Sequence, residues 1–222
     1  NQGFYKKQVN ADGKKEILTL DLDTMSYRPG KKAKFATLEL TKSIDKPIER
    51  FKVLIEGKDK AGTFYRKNFG AMFAYVQNRI PEISDELYRI DDAMKAGFGW
   101  ENGPFEIWDA IGIEKGIELI KQEEGKISDW LNDFVSLDFR GFYTVKEGKT
   151  WYYDIPSKSY KVKPGQESFI ILDNIRKSNE VFKNPGVVLE DLGDGILNLE
   201  FQSKMNTIGG DVLAGLNKAV DI

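Results

Sequence analysis

The sequence predicts a mainly α-helical fold, and three observations lead to that prediction. The chain has 222 residues, 41% hydrophobic and 12% aromatic, which is enough apolar material to fill a core. Apolar residues recur at helical spacing through most of residues 35–140. Alternation typical of strands is confined to short segments around residues 150 and 195. We therefore expect a helical domain at 35–140, followed by small β-hairpin regions.

The first 34 residues predict a linker or an extended segment. They are polar and rich in lysine, and Gly13, Pro29 and Gly30 interrupt regular structure. One short strand is expected at residues 17–22. Because the chain begins with Asn1 instead of Met, we expect it to be a piece of a longer protein.

Helical signals then follow one another to residue 135. Short helices are expected at 38–44 and 48–55. Asp59 can cap the longest predicted helix, at 61–80, whose apolar residues keep helical spacing for about five turns. Pro81 is expected to kink that helix. Pro104 suits the first turn of a helix that runs to residue 112, and two more helices are expected at 114–124 and 128–135.

The remaining chain predicts two hairpin regions. Residues 141–185 form a connector with strands at 142–145, 150–153 and 159–163 and a helix near 167–177. Residues 186–222 predict a second hairpin and a helix at 209–220. About 35 residues cannot bury an independent core, so this last region is interpreted as the start of an incomplete domain.

Composition excludes several classes of function. The 33 basic and 35 acidic residues give a net charge of -2, so no overall field attracts nucleic acid or anionic lipid. No apolar run approaches the roughly 20 residues of a membrane-spanning helix. The absence of cysteine fits a cytoplasmic protein. The absence of histidine removes the usual general base and most zinc sites, which favours a non-catalytic part and no metal centre.

Two glycine patterns fail as nucleotide sites. Gly148-Lys149-Thr150 ends like a phosphate-binding loop, but the preceding glycine, Gly141, is too far away and a strand is expected to follow. The pattern Gly97-x-Gly99-x-x-x-Gly103 follows a predicted helix, whereas a dinucleotide loop follows a strand.

Two alternatives to a packing role stay open. A stand-alone carboxylate-based hydrolase would need carboxylates at helical neighbour spacing, and such spacing occurs at Glu82, Asp85, Glu86, Asp91 and Asp92. A solvated helix face is the commoner explanation of this pattern, because nothing in the sequence shows a pocket around these residues. A binding or scaffold module is the second alternative, with Lys31, Lys32 and Lys34 as its basic group. The near-neutral charge argues against nucleic acid as its partner.

Three motifs in order resemble the C-terminal helical domain of 3-hydroxyacyl-CoA dehydrogenases, over residues 35–135. Asn78-Arg79 lies on the long helix, and Asp91 belongs to an Ile-Asp-x-Ala-Met motif. A loop containing Gly97 and Gly99 leads to the third motif, which opens the next helix and is followed by Asp109: Gly103, Pro104 and Phe105. Gly3-Phe4-Tyr5 is similar to the end of a preceding copy, so this block would be the second copy.

Residues 186–222 resemble the start of an enoyl-CoA hydratase domain of the crotonase family. Dehydrogenase followed by hydratase is the order in bacterial fused β-oxidation proteins. The resemblance implies an oxidoreductase parent that uses NAD and an acyl-CoA substrate. It also implies a preceding Rossmann domain, which would carry the catalytic histidine, and a first helical domain as partners. The chain itself would bind no cofactor and contain no catalytic residue.

Asn78 and Lys204 are the candidate substrate contacts that the resemblance places in this chain. A structural amide is the commoner role for such an asparagine, and an ordinary surface position is the commoner one for such a lysine. The combined prediction is a non-catalytic packing module of a fatty-acid β-oxidation protein in lipid metabolism. Its apolar surface supports the dehydrogenase half of the parent and walls part of the acyl-CoA cleft. Once separated from the parent, that surface is expected to cause self-association.

Overall fold

The structure, a computed structural model, describes residues 3–10 and 13–222. The strands in these residues are β1 (Tyr5–Val9), β2 (Lys15–Asp21), β3 (Ser26–Pro29), β4 (Tyr143–Lys146), β5 (Lys149–Asp154), β6 (Ser159–Val162), β7 (Glu180–Lys183), β8 (Val187–Asp191) and β9 (Leu197–Phe201). The helices are α1 (Ala36–Leu40), α2 (Pro47–Glu56), α3 (Lys60–Asn78), α4 (Leu87–Phe98), α5 (Pro104–Ile111), α6 (Ile113–Gln122), α7 (Asp129–Ser136), α8 (Leu172–Asn179) and α9 (Gly210–Val220). A 3-10 turn at Lys204–Asn206 precedes α9.

The expected mainly α-helical fold is wrong, and so is the stronger description of the chain as all-α. Helices make up 43% of the structure and strands 20%. The strands form three antiparallel sheets of three strands each, in the orders β1-β2-β3, β4-β5-β6 and β7-β8-β9. The fold is therefore mixed α/β.

The N-terminal sheet is the main source of this error, because the sequence predicts only a linker or extended segment with one short strand there. The strand expected at 17–22 is confirmed by β2, but β1 and β3 were not predicted. β2 pairs with both β1 and β3, and Leu18 on β2 is buried. Asp21 accepts hydrogen bonds from the backbone N–H groups of Asp23 and Thr24, both at 3.2 Å, and so shapes the turn into β3. Lysines occupy several strand positions, and their long aliphatic stems can cover a sheet without producing an apolar pattern in the sequence.

The long helix α3 confirms the helix predicted at 61–80 and its cap. Oδ1 of Asp59 accepts a hydrogen bond from the backbone N–H of Gly62 at 3.0 Å. The helix ends at Asn78, so Pro81 lies beyond it and does not kink it. The buried face of α3 supplies Phe73, whose ring stacks on Trp108 of α5 at 4.6 Å between centroids. Each such fully buried side chain contributes about 1.5–3 kcal/mol through the hydrophobic effect.

The second sheet shares one hydrophobic core with the helices. Phe142, just before β4, is fully buried, with its ring centroid 5.1 Å from Phe105 and 4.9 Å from Phe134. Tyr152 on β5 packs against Tyr88 of α4 at 4.6 Å. The predicted hairpin at 142–153 and the third strand at 159–163 are confirmed by β4, β5 and β6. This sheet is therefore a wall of the helical core.

The C-terminal region contains the predicted second hairpin and helix. β8 and β9 form the hairpin, and α9 follows at the expected place. Val187 on β8 contacts α9 so closely that a side chain at Gly215 would lie 2.1 Å from its Cγ2 atom. Glu190 on β8 is fully buried and pairs with Arg176 of α8, at 3.2 Å between Oε1 and Nε. α8 begins at residue 172, five residues later than the sequence predicts.

Candidate functional site

Asp91 lies at the centre of the motif residues and binds the N-terminus of α5. Its side chain is completely buried. Oδ1 accepts a hydrogen bond from the backbone N–H of Phe105 at 2.9 Å, and Oδ2 accepts one from the backbone N–H of Glu106 at 3.1 Å. Because the first N–H groups of a helix have no partner within it, a carboxylate from α4 here does the work of an N-cap side chain.

Gly103 and Glu106 complete this helix start. Gly103 occupies the N-cap position, where it has no side chain to offer, and its backbone N–H donates to Oε2 of Glu106 at 2.9 Å. A Cβ atom at Gly103 would lie 2.3 Å from Cβ of Asp91. The motif glycine is therefore required because α4 approaches the backbone too closely for any side chain. Pro104 follows at the first helical position, where a missing N–H is harmless.

Asp109, in the last turn of α5, binds the chain that enters β4. Its two carboxylate oxygens accept hydrogen bonds from the backbone N–H groups of Phe142, at 2.7 Å, and Tyr143, at 2.8 Å. The hydroxyl of Tyr143 donates to Oδ2 of Asp91 at 2.8 Å. The two motif aspartates thus join α4, α5 and β4 through one tyrosine.

Burial changes the acidity of both aspartates. It raises the pKa of Asp91 to about 7, although the hydrogen bonds from Phe105 and Tyr143 act in the opposite direction. Burial also raises the pKa of Asp109 to about 7, against the effect of the N–H groups of Phe142 and Tyr143, and the nearby charge of Asp91 adds to the increase. Burial raises the pKa of the Tyr143 hydroxyl well above its ordinary value.

Charged residues surround the buried pair on its outer side. Lys95 of α4 donates to Oε1 of Glu106 at 2.6 Å, and Lys163, just after β6, pairs with Asp92 at 2.7 Å. Lys95 also lies 3.5 Å from Asp92. These contacts tie α4 to α5 and to the second sheet at the edge of the same cluster.

The Asn-Arg motif lies at the end of α3, away from the buried pair. Asn78 is exposed, and its amide nitrogen donates to the backbone carbonyl of Ala74 at 2.8 Å and, at 3.4 Å, to that of Lys126. Arg79 pairs with Glu82 at 2.7 Å, and its guanidinium carbon lies 5.2 Å from the ring centroid of Tyr75. Its Nε atom is buried and has no hydrogen-bond partner among the described residues.

Gln77 is the buried amide of α3. It was not among the residues that the sequence patterns predicted as candidates. Its Nε2 donates to the carbonyl of Lys126 at 2.6 Å, and its Oε1 accepts from the backbone N–H of Ser128 at 2.8 Å. Trp130 donates its indole N–H to the Gln77 backbone carbonyl at 2.9 Å. Gln77 therefore fixes the loop before α7. The sequence could have indicated this role, because Gln77 lies on the apolar face of α3, one residue before the Asn78-Arg79 motif.

The other predicted site residues are Gly97 and Gly99, at the end of α4, and Lys204, before α9. Gly99 ends α4 in a left-handed conformation, with φ of 66°, while Gly97 lies in open space on the same helix. Lys204 is exposed on the 3-10 turn before α9. None of the hydrogen bonds or ion pairs within residues 3–10 and 13–222 joins Lys204 to Asn78.

The described part of the chain contains neither a candidate metal cluster nor a candidate membrane-spanning helix. No group of three or more acidic side chains there could hold a metal ion, and the sequence contains neither histidine nor cysteine. None of the described helices has the length and apolar character needed to cross a membrane. The two motif aspartates act here as hydrogen-bond acceptors. Asp91 accepts two bonds from backbone N–H groups and one from the Tyr143 hydroxyl, and Asp109 accepts two from backbone N–H groups.

Comparison with curated proteins gives three significant matches. The chain is 35% identical over 221 residues to a Bacillus subtilis (strain 168) protein named "Probable 3-hydroxyacyl-CoA dehydrogenase", covering 99% of this chain and 27% of that protein. It is 25% identical over 174 residues to a Rickettsia prowazekii (strain Madrid E) protein named "Putative fatty acid oxidation complex trifunctional enzyme", covering 78% and 21% respectively. A Rickettsia felis protein with the same name is 27% identical over 105 residues, covering 47% of this chain and 13% of that protein.

These names support the resemblance to the 3-hydroxyacyl-CoA dehydrogenase family and to fatty acid oxidation proteins. The chain spans no more than 27% of the length of these three relatives. No protein-family model matches the chain, and no solved structure matches it significantly.

Proposed function

We propose that this chain is a non-catalytic packing module of a 3-hydroxyacyl-CoA dehydrogenase of fatty acid oxidation. In this proposal the parent protein oxidises 3-hydroxyacyl-CoA with NAD, and the module supports the part that carries out the reaction. One observation carries the proposal: the carboxylates of the family motif, Asp91 and Asp109, hold helices and a strand of the fold together. Four backbone N–H groups and the Tyr143 hydroxyl donate hydrogen bonds to them, three to Asp91 and two to Asp109.

The residues present do not fit NAD. A dinucleotide site needs a glycine-rich turn between a strand and a helix, whereas Gly97 lies in the last turn of α4 and Gly99 ends that helix before α5. The chain also lacks the histidine that serves as general base in the family. We therefore assign both NAD binding and proton transfer to a Rossmann domain elsewhere in the parent.

The hydrolase alternative loses support from the same geometry. A carboxylate-based hydrolase needs two carboxyl groups that reach a substrate in a cleft. Asp91 is completely buried, and the raised pKa values of Asp91 and Asp109 follow from that burial within a structural cluster. The exposed carboxylate of Glu82 and the partly buried carboxylate of Glu86 each pair with an arginine three residues away.

The outer face of α3, formed by Phe64, Asn68, Ala71, Tyr75 and Asn78, is the surface that we assign to packing. All five residues are exposed and lie on one side of the helix, and both Phe64 and Tyr75 are 61% exposed. The two asparagines donate to backbone carbonyls one turn earlier, at 2.8 Å each, so their amides make little demand on a partner. In the parent, we propose that a first helical domain covers this face.

We further propose that the helical block is the second of two copies and that residues 186–222 begin a crotonase-type hydratase domain. A substrate contact at Asn78 requires its amide to exchange the carbonyl of Ala74 for an acyl-CoA group. A contact at Lys204 needs no such exchange, because its side chain is exposed. Both remain predictions, and a cytoplasmic parent is part of the same proposal.

Absence of activity is the first test. The 222-residue chain is mixed with NADH and acetoacetyl-CoA, and the absorbance of NADH is followed. No decrease is expected, while the full-length Bacillus subtilis relative serves as the positive control. Turnover by the isolated chain would contradict the proposal.

Self-association through the outer face of α3 is the second test. We expect light scattering to show a mass that increases with concentration, because the face has lost its cover. Ala71→Glu places a charge in the middle of this face and should restore a monomer. Ala96→Glu, at an exposed alanine on α4, is the matched control and should not. A monomeric mass for the unmodified chain at all concentrations would disprove the packing role of this face.

A further inference from the structure

The N-terminal sheet lies outside the hydrophobic core of the helices, to which none of its described residues belongs. One of its faces carries Tyr5, Val9 and Ile17, whose side chains are 68%, 61% and 64% exposed. On the same face Lys7 lies opposite Ile17, and Lys15 lies opposite Val9. Exposed apolar side chains grouped in this way indicate an interaction surface.

The outer edge of β1 borders this face and has no strand partner in the described part of the chain. The backbone N–H of Leu20 donates to the carbonyl of Phe4 at 2.9 Å, so every second residue from Phe4 onward bonds to β2. Tyr5, Lys7 and Val9 alternate with these residues, and their backbone groups therefore point away from β2. Three N–H and three C=O groups are thus available to another strand.

The outer edge of β3 is less suited to pairing. Leu20 bonds to β1, so its neighbour Thr19 directs its backbone groups to β3, where it lies opposite Arg28. Tyr27 and Pro29, on either side of Arg28, therefore face outward. Proline has no N–H to donate, so this edge offers one donor, whereas the edge of β1 offers three. The contrast indicates that β1 is the edge that takes a partner.

We propose that the outer edge of β1 binds an extended, acidic segment of another polypeptide as a fourth strand. An antiparallel segment would bond to the backbone of β1. It would place a carboxylate opposite Lys7 and apolar side chains opposite Tyr5 and Val9. The proposal does not depend on the outer face of α3, which contains no residue of this sheet.

The charge of the sheet determines that the segment is acidic. Neither Lys7 nor Lys15 makes an ion pair within residues 3–10 and 13–222. The acidic residues on the strands have other partners: Asp21 pairs with Arg28 at 2.6 Å, and Glu16 accepts a hydrogen bond from a glutamine of β1 at 2.7 Å. A carboxylate on the incoming strand therefore meets an unpaired ammonium group.

A second copy of this chain fits the edge poorly. Full antiparallel pairing of two β1 strands would place Lys7 opposite Lys7 of the other copy, and like charges directly opposite each other are destabilising. A glutamate at that position of the partner makes the same pair favourable.

Titration of the 222-residue chain with three capped heptapeptides, followed by NMR, tests the proposal. The acidic probe is Thr-Val-Thr-Glu-Thr-Val-Thr, and the basic probe has lysine in place of glutamate. The third probe has proline in place of both valines, so it keeps the charge but lacks two N–H groups of the ladder. The acidic probe should bind at least tenfold more tightly than the other two. Equal binding of the acidic probe and either other probe, or no binding of the acidic probe, would overturn the proposal.

Hydrogen exchange identifies the edge. In the free chain the amides of Lys6 and Gln8, which bond to β2, should exchange more slowly than those of Lys7 and Val9. Saturation with the acidic probe should slow exchange at Lys7 and Val9 at least tenfold and leave Tyr27, on the other edge, unchanged. Protection at Tyr27 instead would show that the probe binds β3.

Variants at Val9 test the backbone contact. Val9→Pro removes an N–H that points outward and that the sheet itself does not use, so the fold should persist while the acidic probe binds at least tenfold more weakly. Val9→Thr is the matched control, because it keeps the N–H and the branched side chain, and it should bind within about twofold of the unmodified chain. Unchanged binding by Val9→Pro would exclude the ladder.

Lys7→Glu tests the charge with a change of sign. This variant should lose the acidic probe and gain the basic one, an exchange that unfolding cannot imitate. Lys52→Glu, at an exposed lysine of α2, is the matched control for net charge and should leave both affinities unchanged. Circular dichroism verifies the fold of each variant. If self-association measured by light scattering disappears in Val9→Pro, a second copy occupies the edge and the proposal is wrong.

Discussion

The hydroxyl of Tyr143 donates to the buried carboxylate of Asp91 over 2.8 Å, although 52 positions of sequence separate the two residues. The same carboxylate holds the first turn of α5. One side chain on α4 therefore fixes the position of a helix and of a strand. The stability of the whole helical core should depend on it.

Asp91→Ala is expected to lower the free energy of unfolding by about 2–4 kcal/mol, because it leaves two helix N–H groups and one hydroxyl without an acceptor. Urea denaturation followed by circular dichroism measures the change. Asp92→Ala is the matched control. The neighbouring carboxylate is 45% exposed and makes ion pairs only, so its loss should cost about 1 kcal/mol or less. Equal effects of the two changes would contradict the central role of Asp91.

Gly103→Ala and Gly97→Ala should have opposite effects. At Gly103 a methyl group would lie 2.3 Å from Asp91, and we expect a loss of about 1–3 kcal/mol from overpacking. At Gly97 the space is open and the backbone is helical, so alanine should add about 0.5–1 kcal/mol. Thermal unfolding of both variants tests the pair. If both variants melt at the same temperature, the close approach of α4 to Gly103 is wrong.

The free energy of unfolding should fall as the pH rises from about 4 to about 7. Asp91 and Asp109 have pKa values of about 7 in the folded chain and near 3.8 when unfolded. Between these values the folded chain holds more protons, so its extra stability is complete below the lower value and is lost as pH rises through the upper one. The lowered pKa values of Asp21, Asp59 and Asp154 act only at more acidic pH.

Urea denaturation at about pH 5 and about pH 8 measures this dependence. The chain has no histidine, so no imidazole titrates in the same window. Asp109→Asn should reduce the difference between the two pH values, and Asp92→Asn should leave it unchanged. A chain that is more stable at pH 8 than at pH 5 would show that the hydrogen bonds, not burial, determine the charge of the pair.

Gln77→Leu should destabilise the chain by about 2–3 kcal/mol, since the carbonyl of Lys126 and the N–H of Ser128 lose their partner in a buried place. Asn78→Leu, one residue further on the exposed face, should change the free energy of unfolding by less than about 0.5 kcal/mol. Chemical denaturation of the two variants makes the comparison. A larger effect at Asn78 would reverse the structural assignment of these amides.

Local patterns were sufficient to predict much of the fold. The helix α3 with its Asp59 cap, the hairpin of β4 and β5 and the hairpin of β8 and β9 follow from side-chain periodicity and turn residues close in sequence. Of the first sheet only β2 was predicted, because lysines hide the alternation of β1. The resemblance identified Asp91 and Asp109 as motif residues, but their partner Tyr143 lies in the predicted connector. A contact across 52 positions leaves no local pattern.

The burial of Phe142 bears on where this protein can be divided. Its ring lies within about 5 Å of the rings of Phe105, Trp108 and Phe134, yet it comes two residues after the predicted end of the helical domain at residue 140. A polypeptide that stops at Arg140 would open a void the size of a phenylalanine in its interior and would be a ready substrate for proteases. Tyr152 and Tyr153 of β5 belong to the same core, and Tyr160 of β6 packs against it. We therefore expect the shortest autonomous folding unit that contains α1 to α7 to extend through β6.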